Sequence, residues 1–329
     1  MNTRLAIVGF EHVHAPYYLS CLQSMPDVSV VAIAEADTKK VAEYAEQIGA
    51  IPCMADYSEL LHSNSVDGVI LCSANSRHKQ MVIDMARAGI PILCEKPLAT
   101  KTVDAREMLA IAEAHGTKLG ICFPCRFSES LQQGKHLIES GVLGEIVAVK
   151  ATNHGTMPGD WFVDPNLSGG GAIMDHTVHV VDVLRWLFER EFVQVYAQAS
   201  TRLHPIPVED VAVLSLEMSN GVFVTLDSSW SRPVRSFPIW GDVQMAVVGT
   251  SGILNLDLFP WTLSLYSEQA AKHVAVSHDG DLNERMLQNF VHSIQNGDPI
   301  SPNGVDGLRA LEVVEAAYSS VASGKVVLL

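Results

Sequence analysis

Lys96, Asp175 and His179 are the residues whose types and settings best suit proton chemistry in this 329-residue sequence. Lys96 stands in Glu95-Lys96-Pro97-Leu98, directly after an apolar run over residues 90–94. That run reads as a buried strand, and the carboxyl end of a strand in an open α/β sheet is where such sheets bind ligands. A lysine held there by a following proline is placed to stabilise negative charge developing on a neighbouring oxygen. Asp175 and His179 lie four residues apart, within a segment whose apolar positions Ile173, Val180, Val181, Leu184 and Leu187 space out as one buried helix face. Their side chains therefore stack on one side of that helix, with His176 sharing the rim. A histidine titrates near neutral pH and suits the work of a base or acid.

Strands and helices must position these groups. Apolar strands over 6–9, 28–34, 68–72, 92–94 and 118–121 alternate with helical patterns over 15–24, 39–48, 78–88 and 103–114. Such alternation predicts an α/β, doubly wound parallel sheet spanning residues 1–122. The turn after the first strand reads Gly9, Phe10, Glu11, His12, Val13, His14, the place where a dinucleotide fold presents N–H groups to a pyrophosphate. Only the first glycine of G-x-G-x-x-G is present, with Glu11 and His14 at the other two positions. The second strand ends in Glu35, where an acidic side chain takes the ribose hydroxyls. A carboxylate there favours NAD over NADP, and Lys39 and Lys40 leave NADP open.

The second half changes character. After a helix over 128–139, longer strand candidates run over 146–152, 193–200, 212–218, 222–229 and 243–248. They predict an α+β domain over 123–329 with a large, open, mostly antiparallel sheet, and its helices over 284–294 and 307–320 are expected to pack back on the first domain. An antiparallel sheet often covers one face only, so the other face is expected to join copies into a homodimer or homotetramer.

With 22 basic and 37 acidic residues, the net charge of −15 argues against nucleic acid or an anionic membrane as partner. No apolar run reaches the roughly 20 residues of a membrane span, and residues 1–4 lead into a strand without a signal-peptide core. The six cysteines fall within the first 125 residues, two of them in predicted buried strands, and reduced thiols in the cytoplasm are expected. Cys122 and Cys125 have no second pair, so neither redox nor zinc use is expected of them.

Several stretches resemble the glucose-fructose oxidoreductase, inositol dehydrogenase and rhizopine-catabolism family, Gfo/Idh/MocA, of NAD(P)-dependent enzymes. The resemblance runs over residues 6–9, 31–37, 71–78, 94–99, 141–147, 168–187 and 306–311. Glu95-Lys96-Pro97 resembles the family's lysine motif, and the glycine-led stretch 169–179 its helix carrying Asp-x-x-x-His. The departures are Glu11 and His14 in the turn, and Ala74 where the family often has proline. The resemblance implies a Rossmann domain, and hydride transfer between nicotinamide and a sugar, inositol or related polyol. It implies that Lys96, Asp175 and His179 are catalytic, His179 as base, Lys96 bonded to the same oxygen and Asp175 orienting substrate or base. Gly9, Phe10, Glu11, His12, Glu35, Ser73, Asn75, His78 and Glu95 are expected around the cofactor, with Lys96. Asn153, Trp161 and His176 are expected at the substrate, with Arg126, Trp230, Arg232 and Arg235 as further reach, and a cis Lys96–Pro97 peptide is expected. Two other readings stay open: a non-catalytic, cofactor-binding regulator of the same fold, and a metal-dependent isomerase or hydrolase using Asp175, His176, His179 and His154. No metal is expected, and the direction of reaction is left open.

Overall fold

The structure is a computed structural model that describes residues 2–62, 66–237, 239–259, 262–267, 272–277 and 281–329. Two compact units result, Met1–Phe123 with Asn283–Leu308, and Pro124–Leu282 with Arg309–Leu329.

The first unit holds six strands, β1 (Thr3–Val8), β2 (Val28–Ala34), β3 (Cys53–Met54), β4 (Gly68–Leu71), β5 (Ile92–Cys94) and β6 (Leu119–Ile121), in the order β3-β2-β1-β4-β5-β6. All pairs are parallel. Helices α1 (Ala15–Ser24), α2 (Thr38–Glu43), α3 (Ala45–Ile48), α4 (His78–Arg87) and α5 (Thr102–Ala114) make the crossovers. The strand residues explain the arrangement: every residue of β4, β5 and β6 is buried. Near-continuous apolar strands are what a parallel sheet covered on both faces requires. The order reverses between β1 and β4, and the carboxyl ends at that switch form the binding crevice of doubly wound sheets.

Where one helix is predicted over 39–48, two short ones form. Asp37 caps α2 by accepting from Lys39 N at 2.8 Å, and the chain leaves helical geometry at Tyr44, whose ring meets Phe10 at 5.4 Å between centroids. A tertiary ring contact thus accompanies a break that local periodicity does not reveal. The unit also contains most of α9 (Leu282–Asn296), tied down by Lys118, whose ammonium donates to Ser293 O at 2.6 Å, and by Gln295, which donates to Thr3 Oγ1 at 2.9 Å.

In the second unit, α6 (Glu129–Glu139) and β7 (Ile146–Gly155) precede α7 (Pro165–Ser168) and α8 (Ala172–Phe188). Then follow β8 (Phe192–Ser200), β9 (Val211–Met218), β10 (Phe223–Ser229), β11 (Gly241–Gly249), β12 (Gly252–Asp257), β13 (Thr262–Ser267) and β14 (Lys272–Ser277). Helix α10 (Gly304–Ser323) and β15 (Val327–Leu328) end the chain. The nine strands order as β14-β13-β12-β11-β7-β10-β9-β8-β15, antiparallel except for the parallel pair β7 and β10. Alternation sets the sheet's faces: Ala212, Leu214, Leu216 and Met218 are buried while Val213 and Ser215 are exposed. Helix α8 packs on β7, β9 and β10, and its predicted apolar face is buried as a stripe. Among the described residues, no helix is long and apolar enough to cross a membrane.

Candidate active site

The first unit gathers its predicted site residues at the carboxyl ends of β1, β2, β4 and β5. Gly9 takes φ +82°, and a Cβ there would stand 2.8 Å from Ser73 N. Only glycine lets the turn after β1 lie against the loop after β4. Glu35, 6% exposed, grips this turn: one carboxylate oxygen accepts from Phe10 N at 2.5 Å and the other from Asp37 N at 2.7 Å. Glu11, at the second glycine position, accepts from Ala74 N at 3.0 Å and pairs with Arg77 at 2.7 Å, so its charge is balanced where it meets the β4 loop. Ser73 and Asn75 are buried in that loop. His78 has no exposed surface, and its ring nitrogens face Pro97 O at 3.0 Å and Ser73 O at 3.1 Å. Burial holds its pKa below the usual histidine value, and the ring braces the β4 and β5 loops against each other.

Glu95 is wholly buried. Its Oε1 accepts from Tyr18 Oη at 2.6 Å and from His14 Nδ1 at 2.9 Å, with His12 Nδ1 at 3.6 Å, and its Oε2 accepts from Lys96 N at 3.0 Å. Burial pushes the carboxyl pKa up, but the fields of His12, His14 and Lys96 with the His14 bond outweigh it, and the group is held well below the usual carboxylate range. Lys96 follows, 4% exposed, and the Lys96–Pro97 peptide is cis. Cys72, Cys94 and Cys122, buried around this carboxylate, have thiols pushed far up by burial and then by its charge. They are inert packing groups.

In the second unit, α8 starts where Gly169 takes φ +82° and where side chains on Gly170 and Gly171 would collide with the Tyr318 hydroxyl and Glu209 O. Glu209 then caps the helix, its Oε1 accepting from Gly171 N and Ile173 N at 3.0 Å each and from Tyr318 Oη at 2.8 Å. Burial raises its pKa in spite of these donors. The cap fixes the first turn, which carries Asp175. Trp230 Nε1 donates to Asp175 Oδ2 at 3.1 Å, and His176 Nε2 lies 3.2 Å from the same oxygen. The other ring nitrogen of His176 faces Asn153 O at 3.0 Å, and Asn153 Nδ2 donates to Asp242 O at 3.3 Å. Asp175, His176 and Asn153 thus form one connected polar chain. His179 lies one turn along α8 and is 6% exposed. Trp161 stacks on Phe162 at 3.9 Å between centroids, and both rings are buried.

Three residues named from the sequence find other partners. Arg126, expected to reach toward substrate, is instead 6% exposed and donates to both carboxylate oxygens of Asp182, at 2.8 and 2.5 Å. His154 does not join Asp175, His176 and His179 as a metal-ligating group, because it lies between Asp227 at 3.2 Å and Asp242 at 3.4 Å. Bonds to Asp227 and then Asp242 raise its pKa to about 9 against the cost of burial. Arg232 is likewise engaged, pairing with Asp242 at 2.5 Å. The sequence reading did not find Glu209, Tyr18 or Tyr318. Tyr18 is one helical turn after His14, a signal that was available; Glu209 and Tyr318 meet α8 only through the tertiary fold.

A switch-point turn fixed by one glycine, an acidic side chain ending β2 and a lysine ending β5 are the parts of a nicotinamide-dinucleotide oxidoreductase. The chain belongs to the Gfo/Idh/MocA family: residues 3–123 match its "Oxidoreductase family, NAD-binding Rossmann fold" model and residues 131–255 its "GFO/IDH/MocA C-terminal domain". It is similar to the uncharacterized oxidoreductase YrbE of Bacillus subtilis, with 27% identity over 92% of this chain and 90% of the relative. It is 25% identical to myo-inositol 2-dehydrogenase of Thermotoga maritima over 97% of this chain and 96% of that protein. Among solved structures, levoglucosan dehydrogenase in complex with NADH and levoglucosan superposes with a TM-score of 0.90 at 21% identity, covering 100% and 99% of the two chains. Aldose-aldose oxidoreductase from Caulobacter crescentus, complexed with glycerol, gives 0.87 at 24% identity over the full length of both. At those identities the likeness is one of fold.

Proposed function

We propose that this chain is an NAD-dependent dehydrogenase or reductase acting on a CH–OH group of a sugar, inositol or related polyol, or on its keto form. The observation that carries the reading is Lys96, held by the Glu95 carboxylate on its own backbone N–H at the carboxyl end of β5 in a sheet ordered for dinucleotides. The residues present suit NAD. Gly9 admits the close approach of backbone at the switch point, and the Glu35 carboxylate would take ribose hydroxyls and repel a 2′-phosphate. When bound, the nicotinamide supplies the hydride acceptor or donor.

The chain's own residues supply the rest. The Lys96 ammonium bonds the substrate oxygen and stabilises alkoxide character there. His179 takes the hydroxyl proton in oxidation and returns it in reduction. Asp175, clasped by Trp230 and His176, orients the substrate. Asn153, Trp161 and His176 form the substrate wall, and Ser73, Asn75 and the turn residues Phe10, Glu11 and His12 line the cofactor. Residues 1–122 are assigned to the cofactor and 123–329 to substrate and assembly, with the segment Asn283–Leu308 belonging to the first compact unit. Similarity to an inositol dehydrogenase over nearly the whole chain supports the polyol class.

A homodimer or homotetramer through the open sheet fits the exposed apolar side chains Val213, Phe223 and Ile253, which share one face of it. Six cysteines without a disulfide fit a reducing, cytoplasmic setting. The test is a screen of sugars and inositols for reduction of NAD and NADP, followed through the absorbance of the reduced nicotinamide. At least one substrate giving turnover with NAD supports the reading; none with either cofactor, in protein shown to bind NAD, favours the non-catalytic regulator.

A further inference from the structure

We propose that His12, His14 and Glu95 bind one divalent transition-metal ion of the zinc class, at the end of the cofactor turn to which His12 belongs. Among the described residues, this is the only set of three histidine, cysteine or carboxylate groups whose ligand atoms all lie within 4.8 Å of one another. His14 Nδ1 and His12 Nδ1 stand 2.9 and 3.6 Å from Glu95 Oε1. Ligands about 2.0–2.2 Å from a tetrahedral zinc stand about 3.3–3.6 Å apart, so the His12 distance meets that edge and the His14 hydrogen bond opens to reach it. Two imidazoles and one carboxylate select zinc, cobalt, nickel or ferrous iron over magnesium and calcium, which take shells of oxygen.

The backbone brings these ligands together before any ion arrives. His12 and His14 lie in the turn between β1 and α1, pinned by His12 N donating to Cys72 O at 3.0 Å, and Glu95 directly follows β5. Two strand ends of one sheet therefore supply all three. A wholly buried carboxylate must be paired or coordinated. Glu95 is such a group, and the Tyr18 hydroxyl donates to it at 2.6 Å, as outer partners orient metal-binding carboxylates. The His14 side chain is 31% exposed, which gives an ion its way in. Without an ion the same atoms hold one another, His14 N donating to His12 Nδ1 at 3.2 Å and His14 Nδ1 to Glu95. Loading exchanges these hydrogen bonds for coordination with the His14 proton on Nε2, and it ties the turn after β1 to the strand end that carries Lys96.

The experiment strips the full-length protein with a chelator, then titrates it with Zn2+ by calorimetry and with Co2+ as a visible probe. The expected result is one equivalent per chain, the strong visible absorption of low-coordinate Co2+, and at least a tenfold weaker affinity in His14→Ala and Glu95→Gln. Should either variant not fold, the unmodified protein still decides: Zn2+ must protect His14 from carbethoxylation. Absence of stoichiometric binding overturns the site. So does binding of equal strength in folded variants, or modification of His14 at an unchanged rate under saturating Zn2+. Calorimetry of NAD binding, run separately, keeps a failure of this site distinct from a failure of the proposed reaction.

Discussion

Trp230 donates its indole N–H to Asp175 across 3.1 Å, joining the end of β10 to the first turn of α8. The indole is 1% exposed and packs with Ala172 and Val208, so its ring is fixed by packing and its N–H aims the carboxylate. Trp230→Phe keeps most of the packing and removes the donor. A hydrogen bond to a charged group is worth about 1.5–3 kcal/mol, so kcat is expected to fall roughly ten- to a hundredfold if that orientation is used in turnover. Steady-state kinetics beside NAD calorimetry checks this. An unchanged kcat removes Asp175 from the orienting role.

Glu35 is the residue proposed to set cofactor choice. Its carboxylate already holds Phe10 N and Asp37 N, which fixes it at the end of β2. NAD is expected to bind more tightly than NADP, and Glu35→Ser is expected to narrow the gap. Calorimetry with both dinucleotides decides it, and a preference for NADP in the unmodified protein would defeat the assignment.

Arg126 and Asp182, the latter on α8, form a buried, two-pronged ion pair. Removing the guanidinium leaves a carboxylate in the interior without that partner, a change that costs about 3–5 kcal/mol. Arg126→Ala is therefore expected to lower the urea midpoint sharply. A midpoint close to that of the unmodified protein would show that water reaches Asp182.

His154 makes stability depend on pH. Its folded pKa is raised from 6.5 to about 9, so its charged form is favoured in the native state by Asp227 and Asp242. The stabilisation is complete below 6.5 and is lost as pH rises through about 9. Urea midpoints measured across that window are expected to fall for the unmodified protein and to fall less for His154→Gln. Parallel curves would contradict the coupling.

Much of the architecture is legible in residue order because parallel strands buried on both faces are continuous apolar words, as in Ile92–Cys94, and because α8 repeats its apolar face at Val180, Val181, Leu184 and Leu187. The break at Tyr44 was not legible, since its ring contact with Phe10 is between elements. Strands β12 and β15 are hard to read in residue order: the alternation of β12, Leu254 and Leu256 against Asn255 and Asp257, lasts only four residues, and the two residues of β15 carry no period at all. Within the candidate site, Lys96, Asp175 and His179 announce themselves by type and spacing. Arg126 misled because an arginine's partner, here Asp182, is chosen by the fold and not by sequence separation.

Lys96 and His179 are proposed to act together on the substrate oxygen. Turnover of Lys96→Ala and His179→Ala on a sugar or inositol that the unmodified protein oxidises tests it most directly, with NAD affinity measured alongside. Each variant is expected to lose about two to four powers of ten in turnover, the usual contribution of a positioned acid or base, while NAD binding changes little. Full turnover by Lys96→Ala on that same substrate would contradict the account.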